Sequence, residues 1–242
     1  MQMNINQWLQ SPSTKLYADS YGSLKFSQQT QVYALLYGLA DKQDEDLIAK
    51  AIAASGRSSE ESFSYYLVYA MWGHNPQWAI DFIRTNWGGQ MKAPFFNGAW
   101  HEAWDIANWT TDLGTTSHAW CSGPTALLPQ KVLGLEPISA GWKLFSVRPE
   151  WCGLSWAKGD VNTPYGKIAV AWYRDSQEKL QLSFNVPVGC KALVEMQVSS
   201  SKDYTINGVP AQTCPGIGSF KAEKGKLLFD ASPGKYRFQT VD

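Results

Sequence analysis

The sequence is poor in the features that would place it quickly. Its four cysteines (Cys121, Cys152, Cys190 and Cys214) stand far apart with no C-x-x-C pair. They are too sparse for a disulfide scaffold and lack metal-ligand spacing. Neither sign of charge is in excess, since 21 Lys plus Arg face 21 Asp plus Glu in 242 residues. That balance argues against a general nucleic-acid binder. No apolar run reaches the roughly 18 residues that a membrane helix requires. No charged stretch followed by an apolar one opens the chain, so no secretory signal is visible in it. Neither nucleic acid nor a membrane is expected as a partner. G-x-S-x-G, Walker and G-x-G-x-x-G loops are missing. His101-Glu102 begins like the zinc motif H-E-x-x-H, but Asp105 stands at its fifth position and the motif fails. No cofactor or metal is expected. Charged residues are only 17% against 44% hydrophobic, which marks a chain that forms a core.

What is abundant is tryptophan. Eleven of the 12 lie within residues 1–156, and only Trp172 lies beyond. Charge divides as well: residues 1–141 carry 8 basic and 12 acidic side chains, residues 142–242 carry 13 and 9. Two parts, 1–141 and 142–242, are expected to meet near Gly141.

The first part reads as helices. Val32, Leu35, Leu36 and Leu39 repeat at helical spacing, and Leu47, Ile48, Ala51 and Ile52 do so again before Gly56. Ser58 and Glu61 have capping-box spacing ahead of the stripe Phe63, Tyr66, Leu67, Ala70 and Met71. Asn75-Pro76 opens a fourth helix with Ala79, Ile80 and Ile83, predicted to end at Gly88-Gly89. A fifth is predicted from about Ser117 to Val132, stopped by Gly134. The Asp44-Glu45-Asp46 run suits a solvated helix N-terminus. Short links between such helices imply antiparallel hairpins.

The second part reads as short strands. The candidates are Lys143–Val147, Leu154–Ala157, Lys167–Tyr173, Leu180–Val186, Ala192–Gln197, Tyr204–Ile206, Leu227–Asp230 and Tyr236–Thr240. Several alternate apolar and polar residues, and turn signals such as Asn207-Gly208 and Pro233-Gly234 separate them. Roughly eight short strands in about 100 residues predict an antiparallel β-sandwich.

The chemistry gathers in one stretch. His101, Glu102, Asp105 and His118 share a short segment with Trp100, Trp104, Trp109 and Trp120. Tryptophan faces pack on the C–H faces of sugars, and carboxylates bind hydroxyls and do acid–base work. Any one of these tryptophans is better explained as core packing, but the cluster as a whole reads as a carbohydrate site. Asn108-Trp109-Thr110 is a glycosylation sequon by pattern only.

Particular stretches carry a resemblance. Gly98-Ala-Trp-His-Glu-Ala-Trp104, Ser117-His-Ala-Trp120, Pro129-Gln-Lys-Val-Leu-Gly-Leu135 and Gly141-Trp-Lys-Leu-Phe-Ser-Val-Arg-Pro149 resemble the bacterial α-L-rhamnosidases of glycoside hydrolase family 78. So does Leu154-Ser-Trp-Ala-Lys-Gly-Asp-Val-Asn-Thr-Pro-Tyr-Gly-Lys-Ile168. The resemblance runs from about Phe26 to Val188 and fades beyond. It implies part of an (α/α)6 barrel, residues 1–141, followed by a C-terminal antiparallel β-sandwich, residues 142–242. It also implies an inverting hydrolase of rhamnose-containing glycosides, with Glu102 as general base and His118 on the sugar. Asp105 is then a sugar hydroxyl ligand or a helix cap. Ser117 stands where Asn is commoner in the family, and Trp100-His101 where small Thr residues are common. The family's acidic motif, with its general-acid glutamate, has no counterpart in Met1–Phe26. A twelve-helix barrel also needs on the order of 250–350 residues. The resemblance thus implies the base-bearing C-terminal part of such an enzyme, inactive alone, completed by the N-terminal half or prone to self-association. A non-catalytic carbohydrate- or partner-binding module is the alternative.

Overall fold

A computed structural model of the chain describes residues 2–104, 115–177, 179–198, 204–223 and 225–241. The chain forms two compact units, Met1–Thr125 and Ala126–Asp242. The division falls earlier than Gly141. The reason is strand pairing: Leu135–Pro137 joins Leu144–Val147 in an antiparallel ladder, which draws the preceding residues into the β-rich unit.

The first unit contains α1 (Gln2–Leu9), α2 (Gln28–Leu36), α3 (Glu45–Ala54), α4 (Ser64–Trp72) and α5 (Pro76–Met91). The starts follow local chemistry. Ser27 caps α2 by accepting from the Thr30 amide, and Asn75 caps α5 by accepting from the Trp78 amide at 3.0 Å, with Pro76 next. Glu45 and Asp46 occupy the first turn of α3, where negative charge is favourable. Val32, Ile48, Ile52, Leu67, Val68 and Met71 are fully buried and form the core between the helices. Gln28 ties two elements together: its amide nitrogen donates to the Ile52 and Gly56 carbonyls at 3.1 and 2.8 Å.

Three helical expectations need correction. The Ser58–Glu61 capping box does not form. Helix α4 starts at Ser64 with Phe63 as an N-cap that makes no side-chain bond, and Glu61 is buried instead. Helix α5 passes through Gly88-Gly89 to Met91, because the buried Trp87 and Gln90 on either side hold the glycines in register. The expected helix over 117–132 is broken into a 3-10 turn (Ala119–Cys121), a short α6 (Gly123–Leu127) and a π turn (Leu128–Val132). Pro124 and Pro129 remove the amides that one continuous helix would need.

The second unit is two sheets. Label the strands β1 (Leu135–Pro137), β2 (Leu144–Val147), β3 (Trp156–Thr163), β4 (Gly166–Arg174), β5 (Leu180–Val186), β6 (Lys191–Gln197), β7 (Tyr204–Ile206), β8 (Val209–Pro210), β9 (Ile217–Glu223), β10 (Lys226–Ala231) and β11 (Gly234–Thr240). One sheet has the order β1-β2-β6-β10-β9 and the other β3-β4-β5-β11-β7-β8. All pairings are antiparallel except β2 with β6. Alternation decides the faces: Leu180, Leu182, Phe184 and Val186 are buried while Gln181 and Ser183 are exposed. This is the architecture expected of a C-terminal β-sandwich. Strands β1, β8 and β9 were not expected: β1 and β8 are very short, and most of β9 is solvated rather than alternating.

Candidate functional site

The candidate site lies within the first unit and begins in a segment of bends after α5, along which burial alternates over residues 101–104. His101 and Ala103 turn inward and are buried, while Glu102 and Trp104 between and after them are partly exposed. A returning segment, 115–118, closes against it: the Glu102 amide donates to the Thr115 carbonyl at 3.0 Å and the His118 amide to the Trp100 carbonyl at 2.8 Å. Two rungs therefore bring Glu102 and His118 to one place across a gap of sixteen residues.

They line a cavity of about 500 Å³ together with Trp104 and Trp120. The facing wall is the polar loop after α3, with Arg57, Ser58, Ser59, Glu60 and Ser62. Trp104 is fixed on three sides. Its indole donates to the Ser59 carbonyl at 3.0 Å, its ring meets Trp87 edge-on at 4.9 Å, and the Arg57 guanidinium lies 5.7 Å from its centroid. Trp120 is 63% exposed and offers a free aromatic face. A fixed tryptophan on one wall and an open one at the rim suit a ring-shaped ligand with apolar faces.

The Glu102 carboxylate is held ionised. Its Oε2 accepts from the Thr115 amide at 3.0 Å and from the Thr115 hydroxyl at 3.1 Å. Those two bonds, first the backbone and then the side chain, hold the carboxyl below its ordinary range; the charge of His118 adds to the effect. Cys121 sits beneath. Its thiol donates to the Glu102 carbonyl at 3.7 Å and lies 3.3 Å from His118 Nδ1, while its own carbonyl accepts from the Trp87 indole at 2.8 Å. Burial, reinforced by Glu61, Glu102 and Glu60, pushes that thiol up to about 12. Cys121 is thus a protonated packing and positioning group and not a nucleophile.

Two expected residues fall outside the cavity. His101 is 1% exposed and packs against the rings of Phe95 and Phe96, at 5.6 and 6.1 Å between centroids. Neither of its ring nitrogens finds a partner among the described residues. It is a core residue, placed there by the alternation that exposes Glu102. Trp100 packs on Phe96 at 5.8 Å and is not among the lining residues. Asp105 and Trp109 lie outside the described residues. Among the described residues no three of His, Cys, Asp and Glu gather to hold a metal, and no helix is long and apolar enough to cross a membrane.

The polar loop 57–62 was read as helix punctuation and not as a wall of the site. The signal is its composition, six polar residues between two apolar stripes. Its anchor is Glu61, fully buried, whose Oε2 accepts from Gln90 at 2.9 Å. Burial pushes this carboxyl up to about 7, despite the bonds from Gln90 and Trp87 and the nearby Arg57 charge.

The bacterial α-L-rhamnosidase C-terminal domain matches residues 134–209. A curated α-L-rhamnosidase of Formosa agariphila is 25% identical over 172 residues, which cover 71% of this chain and 17% of that protein. The solved family 78 rhamnosidase of Bacillus sp. GL1 is 28% identical, with a TM-score of 0.67 over 81% of this chain and 22% of that one. The α-L-rhamnosidase of Dictyoglumus thermophilum, 14% identical, shares the fold with a TM-score of 0.76 over all of this chain and 28% of its own. The chain spans less than a third of the length of these relatives. It is similar to the C-terminal portion of bacterial α-L-rhamnosidases.

Proposed function

We propose that this chain contributes the general-base wall of an inverting α-L-rhamnosidase that removes terminal rhamnose from glycosides. The observation that carries the reading is the convergence of an ionised carboxylate, a histidine and two tryptophans on one cavity. In an inverting hydrolase one carboxyl protonates the leaving oxygen, and another draws a proton from water on the opposite face of the sugar, about 6.5–9.5 Å away. Glu102 is suited to the second task. Both Thr115 bonds fall on Oε2, which leaves Oε1 to take the proton of the attacking water. His118 then bonds a sugar hydroxyl and Trp120 stacks on the ring. Asp105 and Trp109 keep the role of further sugar contacts.

The opposing acid is assigned to residues of the larger enzyme, which this chain spans only in part, and the helices are assigned to one side of an (α/α)6 barrel. Exposed aromatics support that assignment. Tyr33 on α2 and Tyr37 just past its end stack at 5.7 Å, Tyr65 and Tyr69 on α4 at 6.0 Å, and Tyr33, Tyr37 and Tyr69 are all exposed. An aromatic face of this kind suits cover by further helices or by a second copy.

The test is to assay the purified chain with an aryl α-L-rhamnoside and L-rhamnose, beside Glu102→Gln, Glu60→Gln and Trp120→Ala, and to measure its mass in solution. The expected result is rhamnose binding that Trp120→Ala weakens, no turnover, and association through the tyrosine face. Turnover by a monomer that both glutamate substitutions abolish would place the acid at Glu60 and overturn the divided site. Rhamnose binding indifferent to Trp120→Ala and Glu102→Gln would remove the site itself.

A further inference from the structure

The β-rich unit carries a second concave surface, unrelated to Glu102. It lies on the solvent face of the six-stranded sheet and has a volume of about 960 Å³. Strand register sets its layout. In one row across the sheet Lys158 pairs with Ala171, Ala171 with Ser183, and Ser183 with Arg237. In the next, Asp160 pairs with Ala169, and Asn185 with Lys235. Small side chains therefore form the floor, and long cationic ones rise at both sides, Lys158 and Lys167 on one, Lys235 and Arg237 on the other.

Two asparagines shape the depression. The regular ladder between β4 and β5 begins at Val170↔Phe184. Beyond it the Asn185 side chain takes over, accepting from the Ala169 amide at 2.7 Å and donating to the Lys167 carbonyl at 2.8 Å. Asn207 does the same at the other side, accepting from the Arg237 amide at 2.8 Å and donating to the Lys235 carbonyl at 3.0 Å. The backbones that carry the cations are thus fixed by side-chain amides and not left to a free edge.

Charge and shape together select the occupant. Four cations and one carboxylate line the depression. Lys167 pairs with Asp160 at 3.1 Å, while Lys158, Lys235 and Arg237 make no ion pair with a carboxylate among the described residues. The adjoining row begins with a cross-strand aromatic pair, Trp156↔Tyr173, 60% and 49% exposed, and continues through Gln181 and Gln239. Exposed rings beside side-chain amides are surfaces for sugar C–H faces and hydroxyls, and the cations beside them are surfaces for acidic groups. A nucleic acid would find the cations, but neither helix N-terminus nor groove-reading element accompanies them.

We propose that this sheet face is a binding site for an anionic oligosaccharide, one bearing carboxylate or sulfate groups, held by Lys158, Lys235 and Arg237 with Trp156 and Tyr173 as the stacking shelf. It does not depend on the catalytic reading of Glu102.

Calorimetric titration of the whole chain tests this with four probes of matched length: an oligogalacturonide, a sulfated heparin oligosaccharide, a neutral cello-oligosaccharide and a single-stranded oligodeoxynucleotide. Either acidic saccharide is expected to bind, at least about tenfold more tightly than the neutral one. The oligogalacturonide arm and the heparin arm separate carboxylate from sulfate recognition. The double substitution Lys235→Gln/Arg237→Gln is expected to weaken binding about tenfold or more, Trp156→Ala to weaken it without changing its salt dependence, and raised salt to weaken the wild type. An unchanged melting curve shows that these exposed substitutions leave the fold intact. Equal binding of the neutral saccharide, equal binding of the oligonucleotide, or no loss in the double variant would each overturn the proposal.

Discussion

The two units bury different things. The helical unit encloses Gln28, Gln31, Asp44, Ser59, Glu61, Ser64, Gln90 and His101, whereas Ser146 is the buried polar residue of the β-rich unit among those described. The buried side-chain atoms without a hydrogen-bond partner follow the same division: Glu61 Oε1, Gln90 Oε1, the Trp72 indole and both His101 nitrogens all belong to the helical unit. A buried polar group left unsatisfied costs about 1–3 kcal/mol. Such groups persist where a site needs the surrounding geometry. The β-rich unit instead packs apolar side chains over regular ladders and keeps its functional groups on the outside of a sheet. The helical unit builds its site by spending stability inside; the β-rich unit presents one on an already satisfied scaffold.

The largest effect is expected in the β-rich unit. Gly134 has φ +70° and a Cβ there would lie 2.0 Å from the Arg148 carbonyl carbon. Backbone on both sides leaves no flexible group to give way. Gly134→Ala should therefore cost about 3 kcal/mol or more, seen as a fall in the urea midpoint of amide exchange for peptides within 126–241. If the loss is under about 1 kcal/mol, this unit is not the rigid member of the pair.

The next effect goes the other way and belongs to the helical unit. Glu61 has its pKa raised by burial, so the folded state keeps a proton that the unfolded chain releases. Its contribution to stability is complete below the unfolded value, about 4.3, and is lost as pH rises through about 7. Glu61→Gln removes that loss and supplies an amide donor next to the unpartnered Gln90 Oε1. The variant should be more stable than the parent by roughly 2–3 kcal/mol at pH 8 and indistinguishable near pH 4. Melting temperatures across that range check it, and a parallel pair of curves would deny Glu61 its buried proton.

A smaller gain separates the glycines of the two units. Gly89 lies inside α5 with open space around its Cα, in contrast to Gly134. Gly89→Ala should add about 0.5–1 kcal/mol in urea titration, because alanine loses less backbone entropy than glycine in a helix. A loss would mean that the open face is occupied.

The same contrast explains what the sequence made legible. Period-2 alternation is local, so Leu180–Val186 and Tyr204–Ile206 were readable to the residue, and most other strands within two. Strand β9 was not, because it lacks the alternation, and the parallel partner of β2 lies far along the chain. Helix interiors were readable from their stripes, but punctuation was not. Gly88-Gly89 did not stop α5, and Ser58–Glu61 did not start α4, since tertiary burial of Trp87, Gln90 and Glu61 overrode local propensity. At the site, Glu102, His118, Trp104 and Trp120 were legible as a cluster, and the structure brings them to one cavity. His101 was misread because inward and outward positions alternate along that segment. Residues 57–62 are legible as a polar link, but their place beside Glu102 is not, because that approach depends on helix packing across forty residues.

The smallest effect tests the electrostatics of the carboxylate proposed as base. Thr115 gives Glu102 Oε2 two bonds, one from its amide and one from its hydroxyl. Thr115→Val keeps the shape and the amide and deletes the hydroxyl bond. Because that bond favours the charged form, its removal should raise the Glu102 pKa toward the ordinary carboxylate value, while Thr115→Ser should restore the depression. The sign carries to stability: a depressed carboxyl contributes above its unfolded pKa and loses the contribution as pH falls through the folded one, so the valine variant should have less of this contribution to lose and should have lost it at a higher pH. Carboxyl-carbon NMR titration, with the Glu102 resonance assigned by Glu102→Gln, reads the shift directly. An unmoved titration would mean that the backbone amide alone holds the charge, and that the site's polarity is written in the fold of segment 115–118 and not in the side chain at 115.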